Sequence, residues 1–231
     1  MKTRKSRPMA VYWINLDRST ERRENMLTVL KDPVFDGMSK HRVKAIDGKL
    51  VTKEDIESTF ENVDEKQPVN KYCCFLSHIK ALRQFSKSSH SMALILEDDI
   101  SLEYKPYWQE TIQDCIRNAP EGWELLQLCF TIMDNQTMPT KMYTSSKEKH
   151  YYGAVAYIVN KKGVRRFLKE PMFDKSVPHL SDHYLFLKMN TYVYKYPLFT
   201  YTGDDSTLHK GHIDTIHLPS KQKIEKVLKN R

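Results

Sequence analysis

Ala93-Leu94-Ile95-Leu96-Glu97-Asp98-Asp99 sets four apolar residues directly before three consecutive carboxylates. A short apolar run bounded by polar residues suits a strand buried on both faces, and in open α/β sheets ligands gather beyond the carboxyl ends of such strands. The run predicts a strand at 92–96 that delivers its acids to a ligand. Closely placed carboxylates repel unless a proton or cation lies between them, and an all-oxygen donor set suits Mg²⁺ or Mn²⁺ rather than zinc. A solvated acidic turn is the plain alternative. Glu97 and Asp99 lie two apart, so if the backbone stays extended both point to one side and Asp98 to the other.

Working outward, the chain alternates between two periodicities. Val11 to Asn15 reads as a first strand, and Ser19 or Thr20 is placed to cap a helix through Arg22, Met26 and Leu30. Val43 to Ile46 reads as a second strand ending at Asp47-Gly48. Residues 49 to 71 are polar and irregular around a short helix at Lys53 to Ser58. Phe75, Ile79, Leu82 and Phe85 recur at helical spacing and predict a helix over Cys74 to Ser86. Beyond the acids come a helix near Tyr107 to Asn118, a strand at Glu124 to Cys129, a loop to His150 and a strand at Ala154 to Val159. Helices at Lys162 to Lys169 and Asp182 to Met189 and a strand at Thr191 to Tyr196 follow. This order predicts an α/β sandwich with a largely parallel sheet.

The chain has 231 residues, 40% hydrophobic and 11% aromatic, enough for one sizeable core. No internal repeat or Pro/Gly-rich linker divides it, so the expected organisation is a basic tail at 1–8, one domain at 9–215 and a basic, helix-compatible tail at 216–231. The formal charge of +8 is dispersed along the chain, which argues against a nucleic-acid partner. Cys73, Cys74, Cys115 and Cys129 form no C-x-x-C pair or zinc-like Cys/His spacing and are expected as free thiols. The apolar stretch Met9 to Ile14 is too short for the core of a signal peptide, no stretch approaches membrane-spanning length, and the last residues are no ER-retention signal. A cytoplasmic location is expected.

Three motifs are missing. With seven glycines, the sequence holds no G-x-G-x-x-G, no G-x-x-x-x-G-K-[ST] and no G-x-S-x-G. A bound phosphate must therefore be held by a cation and by side chains.

Ile14-Asn15-Leu16-Asp17-Arg18, followed by Arg22-Arg23 and Met26, resembles the opening motif of the family 25 glycosyltransferases, which include lipopolysaccharide and procollagen galactosyltransferases. Ala45-Ile46-Asp47-Gly48 resembles that family's Ala-Val-Asp-Gly, Cys74-Phe75-Leu76-Ser77-His78 its Cys-Phe-Leu-Ser-His, and Leu94 to Asp99 its Leu-Val-Leu-Glu-Asp-Asp. Trp123-Glu124, Gly153-Ala154 through Gly163, and Ser181-Asp182-His183-Tyr184-Leu185 match further elements in order. Tyr201-Thr202-Gly203-Asp204-Asp205-Ser206 is similar to a segment of the collagen-modifying branch. The chain departs from that branch at Asn70-Lys71-Tyr72-Cys73, where Gly-Glu-x-Gly is usual.

The resemblance implies a GT-A-like, Rossmann-related, mostly parallel sheet flanked by helices, a UDP-galactose or UDP-glucose donor and Mn²⁺ or Mg²⁺. Asn15, Leu16, Arg18, Arg22, Asp47, Ser77, His78, Glu97 and Asp98 are the donor-side candidates. Arginine suits diphosphate through bidentate, charge-assisted bonds, although Arg22 and Arg23 also read as a helix surface. Asp47 suits a uracil or ribose contact, or a turn with Gly48. Ser77 and His78 stand near a helix start, aimed at the donor or at Asp99, or satisfied locally. Asp99 is the preferred metal ligand, with Glu97, and His209 or His212 is placed to complete the set.

Asp182 is the candidate base for the acceptor hydroxyl, with a helix cap as its alternative. His179 and His183 are spaced for zinc but lack a third ligand. The implied reaction is metal-dependent hexosyl transfer to hydroxylysine or galactosyl-hydroxylysine of a collagen-like protein. A lipopolysaccharide or glycan galactosyltransferase and an inactive nucleotide-sugar-binding module are the alternatives, and a homodimer is compatible with the long 37–71 segment and the C-terminal tail.

Overall fold

The structure is a computed structural model that describes residues 9–60, 63–64, 67–169, 181–202 and 213–231. The first strand, β1 (Met9–Asn15), is buried along its whole length, and α1 (Thr20–Val29) leaves its end. Ser19 precedes α1 without a side-chain cap. Next come β2 (Ser39–Lys44), α2 (Lys53–Thr59), α3 (Val69–Lys87) and β3 (Met92–Glu97). In β1 and β3 alternate side chains enter opposite cores: Ala10, Tyr12, Ile14, Ala93 and Ile95 on one face, Val11, Trp13, Leu94 and Leu96 on the other. That is the period of two expected of a strand covered on both sides.

The chain continues through β4 (Ile100–Ser101), α4 (Ile112–Arg117), β5 (Leu125–Gln127), β6 (Tyr143–Ser145), β7 (Ala156–Asn160) and α5 (Lys161–Phe167). It closes with α6 (Ser181–Lys188), β8 (Thr191–Tyr194), β9 (Thr200–Tyr201) and α7 (Leu218–Lys229). The main sheet has the order β2-β1-β3-β7-β5-β8-β6. Strands β2, β1, β3, β5 and β8 run one way, and β7 and β6 run against them. The sheet is thus mostly parallel, as expected. α3, α5 and α6 cover one face, with Phe75, Ile79, Leu82, Val164, Phe167 and Phe186 buried against it. Met26, Leu30, Phe35 and Ile112 cover the other face. Each such side chain contributes about 1.5–3 kcal/mol by leaving water.

Several elements differ from the sequence expectation. The second strand lies at Ser39–Lys44, not Val43 to Ile46, because it is an edge strand in which only Val43 is buried. The helix expected near Tyr107 to Asn118 divides into a 3₁₀ turn at Lys105–Tyr107 and α4, where Thr111 accepts the Asp114 amide in a capping box and so sets the start. The loop expected before His150 contains β6, an edge strand. α3 begins at Val69, which places Ser77 and His78 in mid-helix rather than near its start. Among the described residues, no helix is long and apolar enough to cross a membrane.

Candidate functional site

An open cleft lies at the carboxyl ends of β1 and β3. Asn15, Leu16, Arg18 and Arg22 line one side, Glu97 and Asp98 another, and Cys74, Ser77 and His78 of α3 the floor. Gly48 and Asn70 close the far end, and they are mutually dependent: a Cβ on Gly48 would lie 2.0 Å from Asn70 Oδ1. The Asn70 at which the sequence departs from the collagen branch therefore sits on the cleft wall.

The acids are not arranged as simple alternation predicts. The strand ends at Glu97 and the chain turns, so Arg22 reaches both neighbours, with Nη1 2.9 Å from Asp98 Oδ1 and Nη2 2.8 Å from Asp99 Oδ2. Asn15 Nδ2 donates to Asp98 Oδ2 at 2.6 Å. Glu97 turns instead to His78, whose Nε2 lies 3.0 Å from Oε1. His78 is fully buried and its Nδ1 meets the Tyr157 hydroxyl at 2.9 Å, so it faces Glu97 rather than Asp99. Asp99 is held from behind, where its carbonyl accepts the Thr202 amide, while its Oδ1 is buried without a hydrogen-bond partner.

These three carboxylates face one guanidinium. Burial, reinforced by Glu97 and only partly opposed by Arg22, pushes the Asp99 carboxyl up to about 7. Burial also raises Asp98, against the pull of Arg22. Burial works against the Arg22 charge, but Asp99, Asp98 and Glu97 outweigh it and hold the guanidinium protonated. An excess of buried negative charge with an orphaned Oδ1 is what a bound cation would relieve, but among the described residues it is Cys74, His78 and Glu97, not the three acids, whose donor atoms lie within 4.8 Å of one another.

A cationic rim surrounds the β1 end. Asn15 Oδ1 accepts from Arg42 Nε at 2.9 Å and from Arg23 Nε at 3.3 Å. Asp17 gathers Arg42 and Lys44, each at 2.6 Å, and their hydrogen bonds bring its carboxyl down to about 2. Arg42 and Lys44 escaped sequence reading because only the register of β2 on β1 sets them beside Asn15. Arg18 Nε donates to Asp47 Oδ2 at 2.6 Å, and Asp47 Oδ1 accepts the Lys49 amide, which makes Asp47 a turn residue that also fixes Arg18. The Arg18 contact holds the Asp47 carboxyl below its ordinary value. Ser77 donates to Cys73 O at 2.6 Å and accepts the Ile46 amide at 2.9 Å, so its hydroxyl proton is already engaged.

Asp182 stands on the first turn of α6, where Oδ2 accepts the Gly153 amide at 3.1 Å. Gly153 has φ +108°, a conformation that side chains rarely adopt. Ser181 Oγ lies 3.3 Å from Cys74 Sγ, which links this end of α6 to the cleft floor. His183 stacks on His150 with centroids 4.7 Å apart and planes 3° from parallel, and Tyr152 meets both edge-on. Lone pairs of parallel rings lie in parallel planes and do not converge on one ion. His179, His209, His212 and Gly203 to Ser206 lie outside the described residues.

A mostly parallel sheet with acids and arginines gathered at one strand-end cleft defines an α/β protein whose candidate site lies where such sheets hold their ligands. The family description "Glycosyltransferase family 25 (LPS biosynthesis protein)" matches residues 9–184, and the chain belongs to that family. It is 27% identical over 192 residues to a glycosyltransferase 25 family member of Anopheles gambiae, covering 76% of this chain and 31% of that protein. It is 23% identical to procollagen galactosyltransferase 1 of Danio rerio and 21% to procollagen galactosyltransferase 2 of Homo sapiens; each match covers 73% of this chain, with 30% and 28% of those proteins. The chain thus matches under a third of the length of these relatives. A solved glycosyltransferase involved in the glycosylation of the major capsid of PBCV-1 shares 12% identity at a TM-score of 0.47, over 90% of this chain and 99% of its own, a likeness too distant to argue from.

Proposed function

We propose that this chain transfers galactose or glucose from a UDP-sugar to a hydroxyl acceptor with the help of Mn²⁺ or Mg²⁺. The observation that carries this reading is the cleft of a family 25 chain at the ends of β1 and β3, lined by Arg18 and Arg22 together with Glu97 and Asp98, with Arg22 paired to Asp98 and Asp99. Asn15, Leu16 and Asp47 order the nucleoside end, while Arg18 and Arg22 meet the diphosphate. Ser77 and His78 act through position: the first ties α3 to the segment after β2, the second orients Glu97. Asp99 and Glu97 would hold the cation, with His209 or His212 as a further ligand. A cation held there would supply charge neutralisation for the departing UDP. Asp182 accepts the proton of the attacking hydroxyl.

Relatives named procollagen galactosyltransferases favour hydroxylysine or galactosyl-hydroxylysine of a collagen-like protein as the acceptor. The family's association with lipopolysaccharide biosynthesis supports the second reading, a bacterial-type glycan galactosyltransferase. A panel of UDP-galactose, UDP-glucose and UDP-N-acetylglucosamine with each acceptor, with and without Mn²⁺, read as UDP release, tests both. Release with galactose or glucose that requires both Mn²⁺ and the hydroxylysine acceptor is expected. Metal-independent release, or none with any donor, would sink the proposal, and release only with the bacterial glycan would select the second reading.

A further inference from the structure

We propose that Cys74, His78 and Glu97 form a binding site for a thiophilic divalent cation of the zinc class, open to the donor cleft. Cys74 and His78 are four residues apart on α3 and so share one face of that helix. Cys74 Sγ, a ring nitrogen of His78 and a Glu97 carboxylate oxygen all lie within 4.8 Å of one another. Zinc bonds of about 2.0–2.3 Å place tetrahedral donors about 3–4 Å apart, so small side-chain adjustments suffice to close the set.

The surroundings match the chemistry. The Tyr157 hydroxyl on Nδ1 fixes the imidazole ring and leaves Nε2 toward Glu97, the kind of outer contact that orients metal-binding histidines. The hydroxyl both donates and accepts, so it can accept a hydrogen bond from Nδ1–H when Nε2 offers its lone pair. Burial opposes loss of the Cys74 thiol proton, a cost that the metal–sulfur bond has to exceed. Metal binding displaces the thiol proton to solvent and forms a thiolate–metal bond. Sulfur and imidazole select zinc-like ions, whereas Mg²⁺ and Mn²⁺ prefer the neighbouring carboxylates. All three residues border the cleft, which leaves a coordination position facing it. Glu97 belongs to both donor sets. If the proposed hexosyl transfer is correct, a zinc-class ion competes there with the oxygen-bound cation and inhibits transfer.

Cobalt is the direct probe. Co²⁺ added to the chelator-stripped chain should give a thiolate-to-cobalt charge-transfer absorption that saturates at one equivalent and is displaced by Zn²⁺. Cys74→Ser, which keeps the other three thiols, should lose the absorption and weaken Zn²⁺ affinity, measured against a chromogenic chelator, by at least about tenfold. On the unmodified chain, Zn²⁺ should slow alkylation of Cys74 as read by mass spectrometry, a measurement that needs no variant. No absorption with the wild-type chain, its persistence in Cys74→Ser, or alkylation unaffected by Zn²⁺ would each overturn the site. Hexose transfer without the cobalt absorption refutes this inference alone. The absorption without UDP release from any donor refutes the transferase reading alone.

Discussion

At the residue scale, Asp99 concentrates the electrostatic cost of the cleft. Its carboxyl is pushed from an ordinary 3.8 up to about 7, first by burial and then by Glu97. The folded chain thus keeps a proton that the unfolded chain releases between about pH 4 and 7. Stability should fall as pH rises through that window and change little from this group below it. Asp99→Asn removes the titration while leaving Arg22 its Asp98 partner. In chelator-treated protein, urea melts at pH 4.5 and 7.5 should show a flatter pH dependence for the variant. The readout is the direction: wild-type stability should fall from pH 4.5 to 7.5 more steeply than that of the variant. Equal slopes in both proteins would show that Asp99 is ionised in the fold at pH 4.5.

At the scale of elements, α3 is the organiser of the cleft floor. Its inner face buries Phe75, Ile79, Leu82 and Phe85, while Cys74, Ser77 and His78 remain on the side that borders the ligand space. Ser77 is the tie between this helix and the segment after β2, through the Ile46 amide. Ser77→Ala leaves that amide without its acceptor and should cost about 1–3 kcal/mol in chemical denaturation. It should also weaken UDP binding, because Ala45, Ile46 and Gly48 form the adjoining wall. A variant as stable as wild type with unchanged UDP affinity would show that the wall does not depend on this bond. The edge strand β2 works similarly, since its register carries Arg42 to Asn15 and Lys44 to Asp17.

At the scale of the whole molecule, the fold brings a candidate donor end and a candidate acceptor end together across α3. Asp182 is far from the opening motif in sequence, yet its neighbour Ser181 touches Cys74 on the cleft floor. Asp182 accepts two backbone amides, Gly153 on Oδ2 and His183 on Oδ1, so Asp182→Asn removes the charge and keeps one of the two contacts. UDP affinity should stay within a few-fold of wild type while transfer falls about 10²- to 10⁴-fold. Loss of both together, by calorimetry and UDP release, would make Asp182 a structural or donor-binding residue. Much of this architecture was legible in advance. The apolar runs of β1 and β3 and the helical spacing of Phe75, Ile79, Leu82 and Phe85 express local periodicities that any buried strand or helix must satisfy. The edge strands β2 and β6 were less legible, because a strand with little burial has little apolar pattern. The sequence by itself determined the α/β alternation and the delivery of Glu97, Asp98 and Asp99 to a strand end, since burial imposes both residue by residue. Only the tertiary structure decided that Arg22 would bridge Asp98 and Asp99, that His78 would choose Glu97, and that Cys74 would join them. Those contacts form between side chains on separate elements, and their geometry is set by how the elements pack.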